Sequence, residues 1–415
     1  MKTLTILPIA AILLFNFKTP CLMRKYVFLF SILLCACASD EEVYTEIPDE
    51  IVETPTILDD NIVNGIDMSD YFSINFSDLP NYSSPDYPIH YINTVGNNNE
   101  PTDNQSTDTG AVLGRILFFD KQLSINNTVS CASCHQQGIA FTDNNQFSIG
   151  FDGVSVTSAH SMRLLNARFY EGESFFWDKR ALTLEDQTTE PIINSVEMGF
   201  DDSNGGLDAL IDKMNTIDYY PALFELAFGD GTITVNRIQR ALAQYIRCIV
   251  STDSRFDQAF AQVYNPNAPG NGVGQNFPGF TAEENLGKQL FTTNTGNINC
   301  ATCHELPSFS LAANSRSNGL DAGETIIFKS PSLKNIATSA QFMHDGSLTS
   351  LEEVVEFYDS GIQDGPALDN RLRDQNGPRR MNLTQAEKDA LVAFLQTLTD
   401  ETVVSDSKFS NPFIN

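Results

Sequence analysis

The sequence predicts a mainly α-helical chain built from two tandem copies of one helix–loop–helix unit. Three observations predict it. Leu113-Gly114-Arg115-Ile116-Leu117-Phe118 in the first half is matched by Leu286-Gly287-Lys288-Gln289-Leu290-Phe291 in the second. Each half closes with an amphipathic run, at 238–249 and 387–398, apolar at i, i+3/i+4 and i+7. Alternating runs of strand type are few. The length of 415 residues suits two or three domains, and 41% hydrophobic residues suffice for their cores.

Residues 1–36 contain no Asp or Glu and hold two apolar stretches, 4–17 and 26–34, each behind a basic residue. Both are too short to span a bilayer and fit the core of a secretory signal. Met23-Arg24-Lys25 reads as a second start, so translation is expected to begin at Met23. Leu34-Cys35-Ala36-Cys37 resembles a bacterial lipobox, with Cys37 as the lipid-accepting thiol. The alternative is an ordinary cleaved signal in which the cysteines are coincidental. The chain is therefore expected to be exported, as a periplasmic or cell-envelope lipoprotein that touches a membrane only through its anchor. Cys21 and Cys35 belong to the signal.

Residues 38–109 read as an acidic tether followed by an N-terminal extension. The first unit is expected at 110–252 and the second at 281–402, joined by a linker at 253–280 and followed by a tail at 403–415. The linker assignment rests on the Gly, Pro and Asn of 264–280.

Asp+Glu number 53 against Lys+Arg 25, a formal net charge of −28. Nucleic acid is excluded as a partner, because phosphate binding needs a basic patch. Removing residues 1–36 deletes Lys2, Lys18, Arg24 and Lys25, so the exported form is more acidic still. Eight cysteines are too few for a disulfide scaffold in a chain of this length.

Four of those cysteines carry the chemistry. Cys131-Ala132-Ser133-Cys134-His135 and Cys300-Ala301-Thr302-Cys303-His304 are both C-x-x-C-H, the signature of c-type haem attachment. Two thiols add across the haem vinyl groups, and the following His supplies an iron ligand. Zinc sites and thioredoxin-like pairs also use C-x-x-C. Neither needs a His directly after each pair, and haem attachment takes place outside the cytoplasm. Two covalent haems c are expected. A helix, a haem loop and a closing helix resemble a cytochrome c domain, here duplicated. Cys248 falls on the apolar face of the 238–249 run and reads as a buried small hydrophobe. His90 stands outside every motif.

Longer runs resemble the bacterial di-haem cytochrome c peroxidase and MauG superfamily over roughly residues 110–400. One is Phe175-Phe176-Trp177-Asp178-Lys179-Arg180-Ala181 with Leu184, Glu185, Gln187, Pro191-Ile192 and Val196-Glu197-Met198-Gly199. The other is Phe342-Met343-His344-Asp345-Gly346-Ser347 with Leu351-Glu352-Glu353-Val354-Val355. The resemblance implies that Glu197 and Gln187 stand over the first haem, with Glu197 as proton shuttle. It implies that Trp177 lies between the haems and carries electrons. Peroxide chemistry makes matching demands: an open iron, an acid/base group beside it and an electron supply.

Many family members block the first iron with a His sixteen residues after the proximal one. Here that position is Phe151, which cannot ligate iron, so an open first haem is expected. His160 as sixth ligand is the competing reading. His160 also falls where the family has an Asn that helps to bind an inter-domain calcium, and imidazole is a poor ligand for that hard cation. Calcium stays an open cofactor, with the backbone carbonyls of Ser339 and Gln341 as its remaining ligands.

For the second haem, Ser350 with Glu353 reads as a capping box opening a helix that Gly361 ends. That helix turns Tyr358 inward, fourteen residues after His344. The resemblance implies a sixth ligand there, Met in many peroxidases and Tyr in MauG. A phenolate favours oxidised iron, whereas Met raises the potential. A buried Tyr with a bonded hydroxyl is the alternative, and Met343 and His344 are nearby candidates.

The expected function is reduction of hydrogen peroxide to water, with electrons from a small c-type cytochrome or cupredoxin passing through the second haem. MauG-like, peroxide-dependent oxidation of a partner protein is the second reading. An electron-transfer cytochrome without turnover is the third, and a distal Glu197 argues against it. A homodimer is left open.

Overall fold

The computed structural model describes residues 61–414 apart from 96–97, 173 and 296–297. The stretches read as signal and acidic tether, with Cys37, lie outside the described residues. Among the described residues eleven α-helices follow in chain order. They are α1 (Ile89–Thr94), α2 (Asp108–Phe119), α3 (Cys131–Cys134), α4 (Leu184–Ile193), α5 (Gly206–Met214) and α6 (Tyr219–Phe228). After these come α7 (Val235–Cys248), α8 (Arg255–Val263), α9 (Ala282–Thr292), α10 (Leu351–Glu356) and α11 (Gln385–Gln396). Strand is confined to three short antiparallel ladders. The chain is mainly helical, as its periodicity predicts. None of the described helices is long and apolar enough to cross a membrane.

The repeated Leu-Gly-(Arg/Lys) motif has a packing reason. α2 crosses α7 at Gly114, where a Cβ would sit 1.9 Å from the Ala241 carbonyl oxygen. α9 crosses α11 at Gly287, where a Cβ would sit 1.8 Å from the Ala390 carbonyl oxygen. Only glycine lets the two backbones approach so closely. The aromatic residues Tyr245 and Phe394 then fill equivalent places beside the crossings. Thr107, Thr234, Thr281 and Thr384 cap these four helices through their side chains. Each cap stabilises its helix by about 1 kcal/mol. The caps at Thr234 and Thr384 also start α7 and α11 a turn or less before the periodic runs begin.

The duplication runs deeper than these motifs. Asn166 and Asn335, at φ +58° and +55°, each open a short 3-10 turn. Phe175 pairs with Ala181, and Phe342 with Leu348, each pair closing a tight loop. Phe176 and Met343 take φ +65° and +71° in those loops, and Lys179 and Gly346 take +58° and +63°. Trp177 and His344 therefore hold the same position in the two copies.

The halves also exchange bonds reciprocally. His160 N–H donates to the His344 carbonyl (2.9 Å), and Lys329 N–H donates to the Trp177 carbonyl (2.7 Å). Each half has its own apolar core, the first around α2, α6 and α7, the second around α8, α9 and α11.

Three segments depart from the sequence reading. Arg255–Val263, inside the stretch read as linker, is helix α8. Ser254 and Asp257 form its capping box, and Phe256 and Phe260 are buried in the second core. The 403–415 tail is no loose end: Phe72 pairs with Phe413, and Val403 and Phe409 join the first core. The described part of the N-terminal extension is equally packed. Met68, Phe72 and Phe76 are buried in that core, and the α1 residue Tyr91 donates to the Pro307 carbonyl (3.0 Å). His90 is buried beside Phe260, 4.0 Å from Asp257, with neither ring nitrogen hydrogen-bonded.

Candidate haem and peroxide site

In the first half the Cys131–Cys134 turn α3 is fixed by a reciprocal bond pair between Ser130 and Ser133. His135 follows directly. Its Nδ1 lies 3.0 Å from the Phe141 carbonyl oxygen, so Nδ1 carries the hydrogen and Nε2 is left for a metal. Burial lowers the pKa of His135, keeping it neutral as a ligand must be. Burial pushes the Cys131 thiol up to about 12 and Cys134 up to about 11.

Glu197 stands within electrostatic reach of this thiol pair. Its charge reaches both Cys131 and Cys134 and raises their pKa values further. Asn194 Oδ1 accepts from the backbone N–H groups of Val196 (2.8 Å) and Glu197 (3.2 Å), a turn that aims the Glu197 side chain. Among the described residues nothing hydrogen-bonds its carboxylate. Burial raises its pKa, Arg180 pulls the other way, and Glu190 pushes it up again. The Phe151 N–H donates to the Val196 and Glu197 carbonyls, and its ring fills the place that a side chain at Gly199 would need.

Gln187 sits on α4, whose start is capped by Thr183. A bidentate ion pair from Arg247 to Glu185 (2.6 and 2.9 Å) anchors that helix. Gln187 lines a small cavity of about 20 Å³ with Leu164, Tyr170, Phe175 and Lys329. No hydrogen bond joins it to Glu197.

The second half encloses a cavity of about 190 Å³ lined by Cys300, Cys303, His304, Asn318, Met343 and Tyr358, with Trp177 entering from the first half. His304 Nδ1 is buried without a partner, and burial pushes the imidazole down to about 4. Burial likewise lifts Cys300 to about 12.

Tyr358 reaches the cavity by a change of helical pitch. α10 ends at Glu356, and Phe357–Gly361 continue as one wider π-turn. Burial pushes the Tyr358 phenol up to about 12. The Ser350 hydroxyl caps α10 as expected, but Glu353 returns its bond to Thr349 N–H (2.6 Å) and not to Ser350. The expected capping box is thus shifted by one residue on one side.

Trp177 lies between the halves. Its Nε1–H donates to the His160 carbonyl (2.7 Å), and its ring meets His344 edge-on at 6.4 Å. His344 in turn stacks on Phe328 at 4.1 Å. The His160 ring is fully engaged inside the protein. Nε2 pairs with Thr142 Oγ1 (3.2 Å), and Nδ1 faces the carbonyls of Asn145 and Gln146 (3.1 and 3.2 Å). No nitrogen of His160 is left for iron.

The same interface tests calcium. Arg163 is buried there and donates to Ser339 Oγ (2.5 Å) and, more weakly, to the Ser332 carbonyl (3.4 Å). A guanidinium beside Ser339 supplies positive charge where a divalent cation would need oxygen ligands. Among the described residues no three His, Cys, Asp or Glu cluster to hold a metal ion. The residues do not fit calcium. They do fit haem: paired thiols precede a neutral buried imidazole in both halves, and a cavity opens at the second pair. Arg163, Lys329 and Asn318 stand in no motif, so sequence alone gave no signal for them.

Comparison with known proteins agrees. The family model of the di-haem cytochrome c peroxidases matches residues 108–265 and 281–360. The methylamine utilization protein MauG of Methylorubrum extorquens is 31% identical over 72% of this chain and 81% of that protein. The cytochrome c551 peroxidase of Nitrosomonas europaea is 28% identical over 70% of this chain and 80% of that protein. Among solved structures, a MauG-like protein associated with microbial copper homeostasis superposes with a TM-score of 0.62 and 29% identity. That match covers 80% of this chain and 99% of the other.

Proposed function

Because the chain belongs to the di-haem cytochrome c peroxidase family, we propose that it is an exported peroxidase. It reduces hydrogen peroxide by two electrons and two protons to two waters. Two haems c, bound covalently at Cys131/Cys134 and Cys300/Cys303 in two cytochrome c-like units, would supply the iron that binds peroxide and the electrons that reduce it. His135 and His304 would be the proximal ligands.

The observation that carries this reading is Glu197. Its carboxylate is half-buried, free of hydrogen bonds among the described residues, and raised in pKa beside the first pair of thiols. A carboxylate with no fixed partner can take the proton from the near oxygen of peroxide and return it to the far one. Gln187 supports the site from α4. Phe151 stands in for the blocking imidazole and leaves the first site open.

Electrons would cross at Trp177, whose indole is fixed by His160 and lies against His344. The donor is a small c-type cytochrome or cupredoxin. The test is steady-state oxidation of such a reduced donor by peroxide. Rapid turnover supports the reading, and none with any small donor refutes it.

One observation favours a second reading, MauG-like oxidation of a partner protein. Tyr358 faces the cavity at Cys300, Cys303 and His304, and a phenolate there would hold oxidising equivalents on the second haem. Slow peroxide consumption that accelerates only when a protein substrate is added would favour it. Export and the lipid anchor at Cys37 belong to the same proposal. Radiolabelled palmitate incorporation, abolished by Cys37→Ala, tests them.

A further inference from the structure

The amide of Asn318 stands between two groups that face the second cavity. Its Nδ2 lies 3.4 Å from the Tyr358 hydroxyl oxygen and 3.4 Å from the Met343 sulfur. A thioether sulfur accepts and never donates, so the atom beside it is the NH2 and not the amide oxygen. Each amide hydrogen therefore has its own partner. All three side chains line the cavity with Cys300, Cys303 and His304. Among the described residues nothing else hydrogen-bonds the Tyr358 oxygen.

We propose that Asn318 is the positioning residue for Tyr358. It holds the phenol oxygen toward the haem site at Cys300–His304 and tempers that oxygen's strength as a donor. The proposal rests on the reading that Tyr358 ligates the second haem iron. A phenolate oxygen keeps lone pairs after binding a metal, so the N–H bond survives. It also strengthens, because its acceptor is then charged. Density drawn toward the amide is density withheld from ferric iron, so the bond favours the reduced state. The second amide hydrogen engages Met343, whose sulfur faces the same cavity.

The test uses the haem-loaded full chain carrying Asn318→Leu, close in size and unable to donate. Tyrosine ligation is expected to persist, with a shifted phenolate-to-iron charge-transfer band. The midpoint potential of the second haem is expected to fall. Losing one hydrogen bond to a charged acceptor changes the ferric-to-ferrous ratio about tenfold, or about 59 mV for one electron. Asn318→Ala also cannot donate and is expected to move the potential the same way, so it carries the test if the Leu variant does not take up haem. An unchanged band and potential, or a rise in potential, overturns the proposal. Tyr358→Phe separates the two ideas. If it leaves the second-haem spectrum unaltered, the ligand reading fails. If it alters the spectrum while the Asn318 variants do not, the role of Asn318 alone fails.

Discussion

The Phe151 N–H donates to the carbonyl oxygen of Glu197 at 3.1 Å. A residue that cannot bind iron is thus held against the residue proposed to move the proton. The fully ferric, haem-loaded protein is expected to react with hydrogen peroxide at once, seen as an immediate Soret shift in stopped-flow absorbance. Phe151→His is expected to make that reaction wait for one added electron. A wild-type protein that also waits would place an undetected ligand on the first iron.

Glu197→Gln is expected to lower kcat/KM for peroxide by roughly 10²–10⁴-fold, the usual worth of a positioned acid/base group. The pH profile gives a second check. The carboxylate must be unprotonated to accept a proton, and burial raises its pKa. Activity should therefore fall as pH drops, and at a higher pH than an ordinary Glu would give. That acid limb should vanish in Glu197→Gln.

Trp177→Phe separates the two halves of the reaction. Phenylalanine cannot donate to the His160 carbonyl and is far harder to oxidise. The first absorbance change with peroxide should be unaltered, while oxidation of the second haem slows. Equal slowing of both steps would argue that Trp177 only holds the halves together.

Lys329 is buried with its ammonium over the Tyr170 and Phe175 rings (4.6 and 5.8 Å) and 3.6 Å from the Met162 sulfur, and among the described residues no carboxylate pairs with it. Burial, helped by Lys179, pushes it down to about 7 from the usual lysine value of 10.5. Between those two values the unfolded chain binds more protons than the native one, so this group makes stability rise with pH. Below about pH 7 its full penalty remains, roughly a few kcal/mol by linkage. Lys329→Met should raise Tm at pH 6, and the gain should shrink toward pH 10. A lower Tm at pH 6 would show that the cation stabilises the interface instead.

Chelation should do nothing. With Arg163 on Ser339 and both nitrogens of His160 engaged, removing calcium is expected to leave Tm and turnover unchanged. A loss of activity on adding EDTA, restored by calcium, would show that Arg163 moves aside for the ion.

Where one side chain sets the geometry, the sequence is readable. Gly114 and Gly287 announce two helix crossings because no other residue fits there, and the two C-x-x-C-H runs announce their chemistry for the same reason. Phe256 and Phe260 were hidden, because a nine-residue helix beside a Gly- and Pro-rich stretch leaves little periodicity to detect. The π-turn that delivers Tyr358 breaks the 3.6-residue period, so an inward Tyr358 was legible but not its path. Arg163, Asn318 and Lys329 act through partners far away in sequence, and no local pattern marks such pairs. The equivalence of Trp177 and His344 appears only when the backbone angles of both loops are compared.

Residues 403–414 close the first half. Ser73 N–H donates to the Pro412 carbonyl, Ile414 N–H donates to the Tyr71 carbonyl, and Arg115 reaches the carbonyls of Ser407 and Ser410. Order of synthesis therefore does not fix order of folding. The first apolar core is translated early, yet it lacks Val403 and Phe409 until the residues of the second core have been made. A chain that has just been made can finish its second core before its first. Loss of residues 403–414 would strike the half of the molecule farther from them in sequence.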